Sequence, residues 1–248
     1  MKWNIEFFDY KTFKRHVART MNTYSEILEP MTLERFNSNI IDPIKLTFDS
    51  KVYGKSLETI IAEEISRQRD KSNNNAIGYF HQNMFSLIKG CVVPKEGFDV
   101  IYREKNKTIN VELKNKHNTM NSSSSQKTYM RMQNHILKKP NELCYLVEVI
   151  AVRSQNVAWR ISLDKTPCSD ERIRRVSIDK FYEEITGDKY AFKKICDWLP
   201  IVIDDVLKEM TSLKLGNDMV LYELSNKDPD LLKSLYLLAF ETYEGFKK

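Results

Sequence analysis

The run ELCYLVEVIAV at 142–152 constrains the fold most: apart from two glutamates it is apolar, and it is rich in β-branched residues. A strand of that kind is buried on both faces, so it belongs inside a sheet with helices packed above and below. Two alternating segments precede it, FDVIYRE at 98–104 and TINVELKN at 108–115, joined by the polar turn EKNK at 104–107. They predict an antiparallel hairpin. AWRISL at 158–163 and RIRRVSI at 172–178 predict further strands.

Helical periodicity surrounds these strands. Phe13, Val17, Met21, Tyr24 and Leu28 predict a helix from Phe8 to Leu28, with a loop through Pro30 to Pro43. Ser56 is positioned to cap a second helix carrying Leu57, Ile60, Ile61 and Ile65, which the polar run DKSNNN at 70–75 is expected to break. AIGYFHQNMFSLI at 76–88 predicts a third, mostly apolar helix ended by Gly90, and Pro94 to Gly97 make the turn into the hairpin. The serine run is expected to cap a helix from about Ser125 to Lys138, and YAFKKICDWL, IVIDDVLKEM and DLLKSLYLLAFETY predict terminal helices. Leu231, Leu232, Leu235, Leu237 and Leu238 in the last of these read as core. The expected class is α/β (mixed), a central mixed sheet flanked by helices with extra N- and C-terminal helices. At 248 residues the chain is read as a single domain, with its core at about 55–180 and helical additions at 1–54 and 181–248.

Composition removes several alternatives. Seven Gly and seven Pro against 42% hydrophobic residues exclude a disordered chain. Cys91, Cys144, Cys168 and Cys196 form no CxxC pair, which argues against a zinc site or a disulfide framework. MKWNIEFFDYKTFKRH lacks the apolar core of a secretory signal and no stretch reaches the ~18 apolar residues of a membrane span, so the expectation is a cytoplasmic protein with no membrane partner. The net charge is +5, yet Arg103 to Lys139 holds nine Lys or Arg against two acids, a local +7 that leaves −2 for the rest. Such a concentration suits a surface that meets a polyanion.

Within that basic stretch the hairpin carries acids. Residues two apart on a strand share a face, so Asn110, Glu112 and Lys114 project one way while Ile109, Val111 and Leu113 project the other. Asp99, at the start of the partner strand, comes opposite Glu112. Two carboxylates and the Leu113 carbonyl make a hard-oxygen site suited to Mg²⁺, with Lys114 close enough to orient a water or meet developing negative charge. The implied reaction is phosphodiester hydrolysis. The acid-x-Lys pattern also occurs at Asp9 to Lys11 and Asp49 to Lys51, and a solvated cross-strand ion pair would use the same residues. What separates the two readings is Asp99, the order of elements and the basic flank.

GFD at 97–99 with VELK at 111–114 resembles the PD-(D/E)xK nuclease motif, with Gly97-Phe98 in place of the usual Pro before the acid. IGYFHQ at 77–82, GFDV, VELKNKHNTMNSSS and CYLVEVI together resemble type II restriction endonucleases that cut GGNCC-like or GGWCC-like sites, over about residues 55–160. The resemblance implies a restriction-endonuclease-like core and a homodimer that cuts both strands of a short palindromic double-stranded DNA site with Mg²⁺, leaving 5′-phosphate ends. It further implies a cognate DNA methyltransferase protecting the host. Asp99, Glu112 and Lys114 are then catalytic, with Asp99, Glu112 and Leu113 as metal ligands.

Lys116, His117, Asn118, Asn121, Ser122, Ser123, Ser124, Lys127, Arg131 and Arg153 are candidates for DNA contact, the cations among them for guanine edges or phosphates. A Ser/Asn loop needs no role beyond turn and cap formation, which stands as the competing account. His81 and Gln82 enter through the resemblance, against the ordinary reading of a hydrogen-bonded core histidine. Glu64, with Glu63, is a candidate extra acid or a solvated helix residue. His117 and His135 lack the partners of a histidine-metal nuclease. A repair or junction-resolving nuclease of the same fold, and a non-catalytic DNA-binding protein, are the alternative functions.

Overall fold

The structure, a computed structural model, describes residues 2–163, 165–210 and 217–240. The chain opens with α1 (Tyr10–Ile27), α2 (Leu33–Asn37), α3 (Pro43–Tyr53) and α4 (Leu57–Phe85). There follow β1 (Cys91–Val92), β2 (Val100–Glu104), β3 (Lys107–Lys116), α5 (Ser122–Lys138) and β4 (Leu143–Ile150). β5 (Asn156–Ala158), β6 (Ile161–Leu163), β7 (Thr166–Cys168) and β8 (Ile173–Ser177) lead to α6 (Ile178–Thr186), α7 (Ala191–Leu207), α8 (Val220–Lys227) and α9 (Leu231–Phe240). The described residues fall into two compact units, one of residues 2–20 and 77–210, the other of 21–76 and 217–240.

The first unit holds a six-stranded sheet in the order β1-β2-β3-β4-β8-β5. β4 is parallel to β3 and β8, while β2 and β5 run antiparallel to their neighbours, so the sheet is mixed as expected. The apolar run at 142–152 supplies an interior strand of this sheet, β4, with Cys144 to Val147 buried. On one face Cys144 and Leu146 of β4 and Ile173 of β8 pack against Tyr129, Met132 and Ile136 of α5 and against Trp159. On the other, the Tyr145 ring lies 6.4 Å from Phe181 of α6, which stands edge-on to Phe85 at 5.1 Å. The second unit is helical and packs Phe36, Leu46, Ile61 and Ile65 against Val220, Leu224 and Leu235.

Several boundaries differ from expectation. DKSNNN does not break a helix, because α4 runs on for 29 residues. Residues 70–75 contain no Pro or Gly, and their polar side chains reinforce the turn: Ser72 Oγ donates to the Gln68 carbonyl at 3.1 Å, and Asn74 donates to Asp70 at 2.9 Å. The loop expected through Pro30–Pro43 contains α2, and α3 starts at Pro43 with Asp42 as its cap. α5 begins three residues early, since Asn121 rather than the serine run caps it, accepting from Ser124 N at 2.8 Å. AWRISL is split into β5 and β6, which pair with different strands. The two helices expected around Pro200 are one, α7, held by the buried stripe Ile195, Trp198, Val202 and Val206 despite the missing N–H. The expected end of the last helix, 241–243, lies outside the described residues, as does the position of Asp164. Among the described residues no helix is long and apolar enough to cross a membrane.

Candidate active site

The β2–β3 hairpin sets the geometry. Val100 pairs with Val111 and Ile101 with Asn110, so Asp99, one step further, faces Glu112. Gly97 turns the chain into β2 at φ 96°, a backbone that L side chains rarely adopt, which gives the glycine of GFD a conformational reason. Asp99 is then fixed by three bonds. Its N–H donates to the Val111 carbonyl at 2.9 Å, its carboxylate accepts the Leu113 N–H at 2.7 Å, and its carbonyl accepts from Gln82 Nε2 at 3.1 Å. Gln82 therefore belongs beside the acids, as a residue that positions one of them.

Burial pushes the Asp99 carboxyl above the ordinary range; the Leu113 N–H opposes that shift and the Glu112 charge adds to it. Glu112 carries a cation on each oxygen, Lys114 Nζ at 2.9 Å on Oε1 and the Arg131 guanidinium on Oε2. Arg131 reaches in from α5 and lies 5.2 Å from the centre of the Phe98 ring. Asn110, the third residue on this face, is buried under α5, where it donates to Glu142 at 2.8 Å and to the Leu143 carbonyl at 3.3 Å and meets His135 Nε2 at 3.0 Å. Burial acts to raise the Glu142 carboxyl, but the bonds from His135 and Asn110 hold it below the usual range. His135 is a structural tie between β3 and α5.

The donor set fits a hard divalent cation that keeps part of its water. Two carboxylates stand opposite each other on neighbouring strands, one of them with a single oxygen engaged by a backbone N–H. Among the described residues no group of three or more His, Cys, Asp or Glu converges, so the protein offers no complete cage and Mg²⁺ would take further ligands from water and phosphate.

The flanking candidates fall into three places. Lys116, His117 and Asn118 are exposed at the end of β3, where His117 N donates to the Ile150 carbonyl at 3.0 Å. Asn121, Ser122, Ser123 and Ser124 form the exposed start of α5, and Ser123, Lys127 and Arg131 line an open groove of about 840 Å³ together with Phe98, Asn134 and Lys138. Arg153 is exposed past β4, lining a second groove with Arg160, Arg174 and Arg175.

His81 is brought neither to Asp99 nor to Glu112 by any hydrogen bond among the described residues. Burial, helped by the neighbouring His16, lowers it to about 4, so it is neutral near pH 7. Glu64 lies in the second unit with both oxygens held by Arg67 at 2.6 Å and one also by Gln68 at 3.0 Å. Burial acts to raise its carboxyl, and those partners hold it below the usual range.

The sequence reading missed one pair on the site's face. Glu148 is registered beside Lys114 on the adjacent parallel strand and is 1% exposed. It is paired with Arg175 of β8, which also donates to the His117 carbonyl at 3.2 Å and so ties the segment after β3 to the sheet. The signal was a glutamate inside an apolar strand, which cannot stay charged in a core without a partner.

A family model described as Eco47II restriction endonuclease matches residues 5–208. The type II restriction enzyme Sau96I of Staphylococcus aureus is 31% identical over 207 residues, covering 80% of this chain and 79% of that one. The type II restriction enzyme Eco47II of Escherichia coli is 26% identical over 201 residues, covering 77% and 84%.

Proposed function

The chain belongs to the Eco47II restriction endonuclease family, and from that premise we propose that Asp99, Glu112 and Lys114 are its catalytic residues. As a type II restriction endonuclease it cleaves DNA at specific sites within a restriction system. The finer reading is a PD-(D/E)xK enzyme of the first unit, acting as a homodimer on both strands of a short palindrome, GGNCC-like, beside a cognate methyltransferase. The observation that supports it best is Asp99 facing Glu112 across the hairpin, with Lys114 on the Glu112 carboxylate.

In this reading Asp99, Glu112 and the Leu113 carbonyl hold Mg²⁺. The ion supplies charge neutralisation at the scissile phosphate and a more acidic water. The Leu113 N–H keeps Asp99 aimed at the site, and Gln82 fixes the backbone behind it. Lys114 orients the attacking water or meets charge building on the phosphate oxygens. Water adds to phosphorus, the P–O3′ bond breaks, and 5′-phosphate and 3′-hydroxyl ends result. Lys116, His117, Asn118, the Asn121–Ser124 turn, Lys127 and Arg153 carry the contacts to phosphates and base edges.

The test is digestion of an unmethylated plasmid of known sequence, with Mg²⁺ and with EDTA, every fragment end being mapped by sequencing. Ends that cluster at one short palindrome only with Mg²⁺ are expected. Asp99→Ala, Glu112→Ala and Lys114→Ala should each remove cleavage while leaving a folded protein. Full cutting by any of the three would overturn the assignment of residues, and cutting confined to branched substrates would turn the reading to a junction-resolving nuclease.

A further inference from the structure

We propose that Arg131 is an internal counter-ion that closes the acid site of the free protein, and that a DNA phosphate draws it off Glu112 to admit a divalent cation. The inference rests on the acid-site reading above and adds an order of events to it. Lys114 follows Glu112 on the same strand and holds Oε1, whereas Oε2 is held by Arg131, which comes from α5, 19 positions along the chain. A divalent cation that takes Oε2 competes with the guanidinium for that oxygen, and the two positive groups repel each other there.

Glu112 is the fixed member of the pair and Arg131 the movable one. The glutamate side chain is 12% exposed, the arginine 46%. The guanidinium rests over Phe98, next to Asp99, so it neutralises the patch that the two acids create. Its stem stands in the groove beside Ser123, Lys127, Asn134 and Lys138, a helical stripe along which a phosphate backbone would meet successive donors. Guanidinium binds phosphate through two parallel N–H bonds, and Arg131 needs only a side-chain rotation to exchange one anion for the other. DNA and metal affinities are therefore linked through one residue, and the linkage is reciprocal. The free protein is protected from binding metal unproductively.

The experiment is calorimetry of Ca²⁺ binding to the full chain, first without DNA and then with a short GGNCC-bearing duplex. Wild type, Arg131→Met, Arg131→Lys and Glu112→Gln are compared. Methionine keeps an apolar stem over Phe98 and removes the charge. Arg131→Met should bind Ca²⁺ about tenfold more tightly than wild type without DNA. Arg131→Lys should restore weak binding, and the tightening caused by the duplex should shrink in Arg131→Met. Arg131→Met binding no more tightly than wild type, with Glu112→Gln still abolishing the signal, would overturn the counter-ion role and leave the acid site standing. Unchanged binding in Glu112→Gln would instead remove the acid site and this inference with it. Should the methionine variant fail to fold, Arg131→Gln gives the same comparison.

Discussion

In the proposed site, Asp99 is where function would work against stability. Burial and the facing Glu112 hold its carboxyl above the usual range, and the Leu113 N–H offsets part of that. A carboxyl raised in the folded state is favoured there in its protonated form. The folded protein is thus at no disadvantage below the unfolded pKa and incurs the cost as pH rises through the folded one. Asparagine keeps an oxygen for the Leu113 N–H without the charge. Asp99→Asn is expected to cut no DNA and yet to melt about 2 °C higher than wild type at neutral pH, the gain vanishing in acid. Differential scanning calorimetry at the two pH values decides it, and a lower melting point at neutral pH would mean that the charge stabilises the hairpin. At Glu148 the argument is one of pairing. It is nearly inaccessible and paired with Arg175, whose Nε is itself buried and unpartnered, so removing the carboxylate leaves a cation without its counter-charge. Glu148→Ala should cost about 3 kcal/mol in urea unfolding, whereas a surface ion pair would cost well under 1.

Elements were legible in proportion to how local their causes are. The hairpin was legible because its period of two and its turn lie within one stretch, and the register that sets Asp99 against Glu112 follows from the turn alone. α3 had its signals, Asp42-Pro43 at the start and Gly54 at φ 64° at the end, but its exposed Ile44, Phe48 and Val52 blur the apolar stripe. DKSNNN has the polarity of a helix breaker, but Ser72 and Asn74 bond back along the same helix. The split of AWRISL was not legible, since it turns on Trp159 being buried against Tyr129, 5.4 Å away between ring centres. At the site, Arg131 on Glu112 and Arg175 on Glu148 join residues far apart in sequence, which no periodicity reports. One turn does carry a local prediction. Gly90 has φ 87°, its carbonyl accepts the Arg103 N–H at 2.8 Å, and a Cβ there would come within 2.9 Å of the Arg103 carbonyl. Gly90→Ala should loosen β1 from β2 and lower stability by about 2 kcal/mol, read in urea unfolding; an unchanged midpoint would show that the turn relaxes freely.

For the molecule as a whole, the uneven charge predicts how binding responds to salt. The stretch from Arg103 to Lys139 carries +7 within a chain of +5 once its own two acids are counted, and Glu184 from outside it offsets one more charge at Lys107. Lys127 is different: it is exposed in the α5 groove and makes no ion pair among the described residues. A lysine that neutralises one phosphate contributes close to one unit to the slope of log K against log salt. A homodimer on a palindrome would make every such contact twice. Lys127→Ala should therefore reduce the slope by about two units, weakening binding to all sequences alike. Fluorescence anisotropy with a duplex, run without metal over a salt series, measures it. A change of about one unit would mean that a single protomer binds, and no change would take Lys127, and with it the α5 groove, out of the DNA path.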